Sequence, residues 1–280
     1  LGRAELTRQT IERLSDQTRP PDGALVVGVN EDDVRDVDQA RGFVEIALGP
    51  RGSCAQRNHG LDLLQGRSDI VVFFDDDFVP AADYLEQVER LFEERPETAG
   101  LTGQLIADGI HCGGFSFDHA ETLVAADSPP VPSRSAPISA LYGCNMAVRM
   151  TMVGDVRFDE NLPLYGWQED IDFSRRVGRN GQLVSTSRLR GVHMGARGGR
   201  TSGVRFGYSQ IANPYYLTRK GTMPPGMASG LAFRNLAANI RGSVRPEAHI
   251  DRRGRLRGNL LAIADILLGR SNPRRILDLR

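Results

Sequence analysis

The chain has 280 residues with 35 basic and 35 acidic side chains, so its formal charge is zero and whole-molecule attraction to nucleic acid is not expected. Its length suits one large α/β domain with appended segments. Cys54, Cys112 and Cys144 form no CxxC pair, which argues against a zinc knuckle or disulfide framework and fits a reducing compartment, and no apolar run reaches the roughly 18 to 20 residues that span a bilayer.

The chain opens on a helical pattern, Leu6, Ile11 and Leu14 between polar residues, ending near Pro20-Pro21. Because an α/β domain ordinarily opens on a strand, a strand is expected upstream of Leu1. Residues 24–29 read as a buried strand running into the acidic loop Asn30-Glu31-Asp32-Asp33, and residues 43–48 as a second. After the turn at 49–52, Ser53 can cap a helix over 55–64. A strand at 70–74 and a helix at 82–94 follow, and this alternation predicts a mostly parallel sheet with right-handed crossovers. From Gly100 the pattern turns to shorter strands and loops, with a Gly-rich stretch at 111–117 and a Pro/Ser-rich one at 128–137. A helix is expected from about Gln168 to Val177, and a mobile Gly/Arg loop at 195–207. Helices at 227–240 and 256–268 close the chain. Between Ala228 and Arg280 there are eleven arginines against four acids, a basic segment that could rest on an anionic membrane surface or pack on its own domain.

Three elements carry chemistry. The run Val71-Val72-Phe73-Phe74-Asp75-Asp76-Asp77 drives an apolar strand into three carboxylates. Strand alternation puts Asp75 and Asp77 on one side and Asp76 on the other, an arrangement that suits Mg²⁺ or Mn²⁺ carrying a diphosphate, or a plain helix cap. Gly166-Trp167-Gln168-Glu169-Asp170 places two acids at a helix start, where a carboxylate can serve as general base or as a favourable partner of the helix dipole. His193 ends a short strand and is a further metal ligand or a structural hydrogen bonder. Neither a P-loop nor a Gly-x-Gly-x-x-Gly fingerprint occurs.

Together with Arg51-Gly52, Gln56-Arg57-Asn58-His59-Gly60, Gly143-Cys144-Asn145 and Phe158-Asp159-Glu160, these motifs resemble those of the family 2 glycosyltransferases over residues 5–223. The resemblance implies a GT-A (Rossmann-like) α/β domain over residues 1–223 with a helical basic extension over 224–280. It implies an inverting transfer of sugar from a nucleotide diphosphate to an acceptor hydroxyl, as in bacterial polysaccharide or glycolipid synthesis. Asp170 would be the base, with Glu169 holding the acceptor or the base itself. Asp75, Asp77 and His193 would hold Mn²⁺ or Mg²⁺. Asp32, Asp33, Arg57, Asp75, Asp76, Gly143, Asn145, Trp167 and Arg200 would line the nucleotide-sugar site, for UDP first and GDP or dTDP as alternatives. The family's Pro-Thr-x-Asn-like first strand is absent from the chain, and the loop at Asp32 departs from the usual Asp-x-Ser. The implied acceptor is a carbohydrate or lipid-linked chain, with the protein cytoplasmic and at most peripheral on the inner membrane face. The rival readings are a sugar-nucleotide pyrophosphorylase and a non-catalytic carbohydrate- or membrane-binding subunit.

Overall fold

The structure is a computed structural model that describes residues 3–35, 37, 42–110, 112–196, 202–245, 247 and 250–279. The chain forms two compact units. The first holds residues 1–51, 56–157 and 174–199, and the second holds 52–55, 158–173 and 200–280. The expected boundary at 223/224 therefore falls inside the second unit.

In the first unit, α1 (Ala4–Ser15) turns Ile11 and Leu14 inward, as its spacing predicts. Strands β1 (Ala24–Gly28) and β2 (Val44–Leu48) pair in parallel, and Val26 and Ile46 pack against the cluster formed by Ile11, Leu14, Val34 and Val37. Beyond α2 (Ser53–Leu64) the larger sheet is built from β3 (Ile70–Phe74), β4 (Phe78–Pro80), β5 (Thr98–Asp108), β6 (Ser135–Pro137), β7 (Asn145–Arg149) and β8 (Gln182–His193), in the order β3-β7-β5-β8-β4 with β6 on β8. Helices α3 (Tyr84–Glu94), α4 (Phe117–Ala126) and the single turn α5 (Met150–Val153) complete the unit.

The α/β class and the sheet flanked by helices are as expected, whereas the expectation of a mostly parallel sheet is corrected. Among the described residues four of six strand pairings are antiparallel. Beyond β3 the strands return through short turns and loops as well as helices, and β5 and β8 are the parallel pair inside this sheet. The core between sheet and α3 holds Phe78, Tyr84, Leu91, Leu101 and Leu189, all buried. Burying each such side chain contributes about 1.5 to 3 kcal/mol.

Helix α6 (Glu169–Val177) has residues in both units. The second unit also contains α7 (Gly203–Lys220), α8 (Pro225–Val244) and α9 (Arg252–Leu267). The expected mobile loop at 195–207 is corrected over its last part, since residues 203–207 are the first turns of α7, capped by Ser202 accepting from the Arg205 N–H. The glycines there serve packing. A Cβ on Gly207 would stand 2.1 Å from the Arg255 carbonyl oxygen and one on Gly258 would stand 2.1 Å from that of Val204, so α7 and α9 cross with their backbones almost touching. A buried amide ladder ties the three helices. Asn239 Nδ2 donates to Gln210 Oε1 and Asn259 Oδ1, both at 2.8 Å, and Asn259 Nδ2 donates to the Gly207 carbonyl at 2.6 Å. Among the described residues no helix is long and apolar enough to cross a membrane.

Candidate active site

Strand β3 ends at Phe74, and the three aspartates that follow make a turn in which the Asp75 carbonyl accepts from the Phe78 N–H at 3.0 Å. The expected grouping of Asp75 with Asp77 is found, but the turn produces it rather than strand alternation. Ligand atoms of Asp75, Asp77 and His193 lie within 4.8 Å of one another. His193 arrives because β4 pairs antiparallel with the end of β8, and β5 brings Asp108 opposite His193 in the adjoining register.

The donor set fits a divalent cation. His193 Nε2 stands 3.6 Å from Asp77 Oδ1, within the roughly 4.2 Å that two ligands of one ion can span. The other ring nitrogen, Nδ1, is 3.0 Å from Asp108 Oδ1, the outer contact that orients a ligating imidazole. Two carboxylates and an imidazole suit Mn²⁺, and the carboxylates also suit Mg²⁺.

The electrostatics of the turn are those of crowded acids. Burial pushes the Asp76 carboxyl up to about 7, with Asp77 and Asp75 adding to the shift and Arg3 opposing it. Burial acts in the same sense on Asp77, but the His193 and Arg3 charges and the Ala196 N–H, at 2.8 Å from Oδ2, outweigh it and hold the carboxyl below its ordinary value. Burial would lower His193, yet Asp108 and Asp77 raise it to about 10. Arg57 donates to Asp75 Oδ1 at 2.9 Å and to the Gly143 carbonyl at 3.1 Å, fixing two candidate donor-site residues with one guanidinium.

In the second unit, Glu169 and Asp170 open α6 after a contorted loop. Leu164, Gly166 and Gln168 have φ of 61°, 65° and 74°, and the first and last carry side chains in a region that costs them on the order of 1 to 3 kcal/mol each. Gln168 is buried with its Oε1 unpartnered. Ser53 does not cap α2 as expected. It is the first helical residue, and its hydroxyl donates to the Tyr165 carbonyl, while its N–H donates to that of Leu164, pinning this loop. The Trp167 carbonyl accepts from Asn213 at 2.8 Å, and the Trp167 ring meets Phe206 edge to face. Behind the acids, Lys220 Nζ is 2.9 Å from Asp172 Oδ2 and 2.5 Å from Asp159 Oδ2, and Asp172 also accepts from the Thr222 hydroxyl.

Asn145 is fully buried, with Oδ1 accepting from Thr102 at 2.7 Å and Nδ2 unpartnered, so it sits inside the β7 wall rather than on its surface. Asp33 accepts from the Val29 N–H and closes the turn after β1, while Asp32 is exposed and 3.8 Å from Arg35. Arg197 and Arg200 lie outside the described residues. Sequence reasoning missed Arg3, which pairs with Asp76 at 2.8 Å, and Asp108, which stands behind His193. Arg3 carries no motif; for Asp108 the one available signal was an acid at the end of an apolar strand.

No family model matches the chain, and no curated protein matches it by sequence. Its fold matches solved structures. S. aureus TarS superposes with a TM-score of 0.51 at 14% identity, over 76% of this chain and 37% of that one. GalNAc-T7, solved with UDP, GalNAc and Mn²⁺, superposes with a TM-score of 0.50 at 12% identity, over 76% of this chain and 47% of that one. The chain thus spans less than half the length of either, and the likeness shows the fold, a GT-A type α/β arrangement of a central sheet with flanking helices.

Proposed function

We propose that the protein is a metal-dependent glycosyltransferase of the family 2 type, which moves a sugar from a nucleotide diphosphate to an acceptor hydroxyl with inversion. The observation that carries this reading is the convergence of Asp75, Asp77 and His193, with Asp108 orienting the imidazole. GalNAc-T7, which shares the fold, was solved with UDP and Mn²⁺, and this favours a UDP-sugar and Mn²⁺ here. Asp75, Asp77 and His193 would hold the divalent cation, which when bound would supply positive charge for the diphosphate leaving group.

The residues of the chain do the rest. Arg57 holds Asp75 and the Gly143 carbonyl in place beside the donor. Arg3 bridges Asp76 at 2.8 Å and Asp77 Oδ2 at 3.4 Å and so holds the turn that presents Asp75 and Asp77. Asp170 removes the proton of the acceptor hydroxyl, and the hydroxyl oxygen attacks the anomeric carbon from the face opposite the leaving group. One displacement inverts that centre. Glu169, buried at the start of the same helix, holds the acceptor or the base. A carbohydrate or lipid-linked acceptor belongs to the same reading.

The test is calorimetric binding of UDP, GDP and dTDP with and without Mn²⁺. Binding of one nucleotide that requires Mn²⁺ and disappears in Asp77→Ala, while Asp76→Ala retains it, is the expected result. Metal-independent binding, or no binding of any nucleotide, would overturn the reading.

A further inference from the structure

Helices α8 and α9 bury one side against α7 through Asn239 and Asn259 and leave the other open. On α8 the open side carries Phe233, Ile240 and Val244, which are 73%, 51% and 79% exposed and recur at the spacing of one helical stripe. On α9 it carries Leu260 and Leu267, 56% and 82% exposed, with Leu256 one turn before. The stripes adjoin. Ser243 of α8 and Arg253, Leu256, Arg257, Leu260 and Leu261 of α9 line one groove of about 430 Å³. Exposed apolar stripes on two neighbouring helices mark an interaction site.

The charges around it select the partner. Arg241, Arg245, Arg253 and Arg257 are exposed and make no ion pair among the described residues. Three of the four acids of this segment are already engaged: Glu247 pairs with Arg252, Asp265 with Arg270 and Arg275, and Asp251 caps α9 through the Gly254 N–H. Two copies meeting through this face would set the same unpaired arginines against each other, because a two-fold interface joins identical patches. A surface that offers both phosphate oxygens and an apolar layer beneath them answers both features.

We propose that the α8–α9 face docks on the surface of an anionic lipid bilayer, with Phe233, Ile240, Val244, Leu260 and Leu267 between the headgroups and Arg253 and Arg257 on lipid phosphates. The helices lie in the plane of the interface and do not span it. Docking needs neither donor nor acceptor, so it stands or falls apart from the proposed sugar transfer.

The test is co-sedimentation of the whole chain with vesicles of phosphatidylcholine alone and with one quarter phosphatidylglycerol. Binding to the anionic vesicles, weak binding to the neutral ones, and loss of binding at high salt are expected of the unmodified protein. Arginine near an anionic leaflet contributes about fivefold in partition, so Arg253→Gln with Arg257→Gln is expected to weaken binding about 25-fold. Val244→Glu with Leu260→Glu is expected to abolish it, with the thermal midpoint of both variants unchanged because the replaced side chains face solvent. Equal binding to neutral vesicles, variants that bind as the parent does, or absence of vesicle binding together with a concentration-dependent dimer that Leu260→Glu dissolves would each overturn the proposal.

Discussion

Replacing Lys220 by methionine is expected to destabilise the second unit by about 2 to 3 kcal/mol. Lys220 is the only lysine of the chain, and its ammonium lies between Asp159 and Asp172, whose side chains are 7% and 0% exposed. Removing one partner of a buried ion pair costs about 3 to 5 kcal/mol, since the remaining charge keeps its desolvation cost without its attraction. Two features reduce that figure here. The lysine is itself about a quarter exposed, so water reaches part of the cluster. The aspartates also keep other donors: Thr222 for Asp172, and Tyr216 with the Asn161 backbone N–H for Asp159. Urea unfolding followed by fluorescence of Trp167, the only tryptophan and a member of the same unit, reads the loss directly. Pairing Lys220→Met with Asp172→Asn should recover part of it, because one of the two orphaned charges is then gone. A loss below about 0.5 kcal/mol, the scale of an exposed ion pair, would refute the reasoning.

Burial would raise the carboxyls of Asp159 and Asp265, but Lys220 at the first and Arg270, Tyr208 and Arg275 at the second hold both below the ordinary range. A depressed folded value contributes stability that is present above the unfolded value of about 3.9 and is lost as the pH falls through the folded one, so unfolding midpoints should drop below about pH 4 and Asp265→Asn should flatten that drop. Gly207→Ala would drive a methyl into the Arg255 carbonyl, and its melting curve should show a loss of about 1 to 3 kcal/mol or more. If Asp170 is the base, Asp170→Asn should lower turnover of the accepted donor by about 10² to 10⁴ while leaving nucleotide affinity within a fewfold of the parent.

The strand 70–74, the acid cluster after it and His193 at a strand end were legible because each rests on a local pattern, whereas their convergence depends on the pairing of β4 with β8. Strand direction was not legible. An apolar run of five residues has the same composition whichever way its neighbour runs, and the 12 residues of β8 look like several short strands when Gly191 and polar residues interrupt them. The start of α7 was hidden for a related reason. Gly203 and Gly207 signal a loop by local propensity, and only the crossing with α9, fifty residues downstream, explains them as helical. Partners such as Arg3 for Asp76, or Lys220 for Asp172, lie 73 and 48 residues away and leave no periodic trace.

The amide ladder among α7, α8 and α9 has a bearing on how this part of the protein can move. Sliding α9 by one turn would carry Asn259 about 5.4 Å from Asn239 and the Gly207 carbonyl and leave its buried amide without those partners. The backbone contact at Gly207 and Gly258 blocks rotation as well. Helix α9 therefore behaves as a keyed shaft rather than a piston: a push delivered to its outer face is passed on whole to α7, and with it to the lysine that α7 ends on.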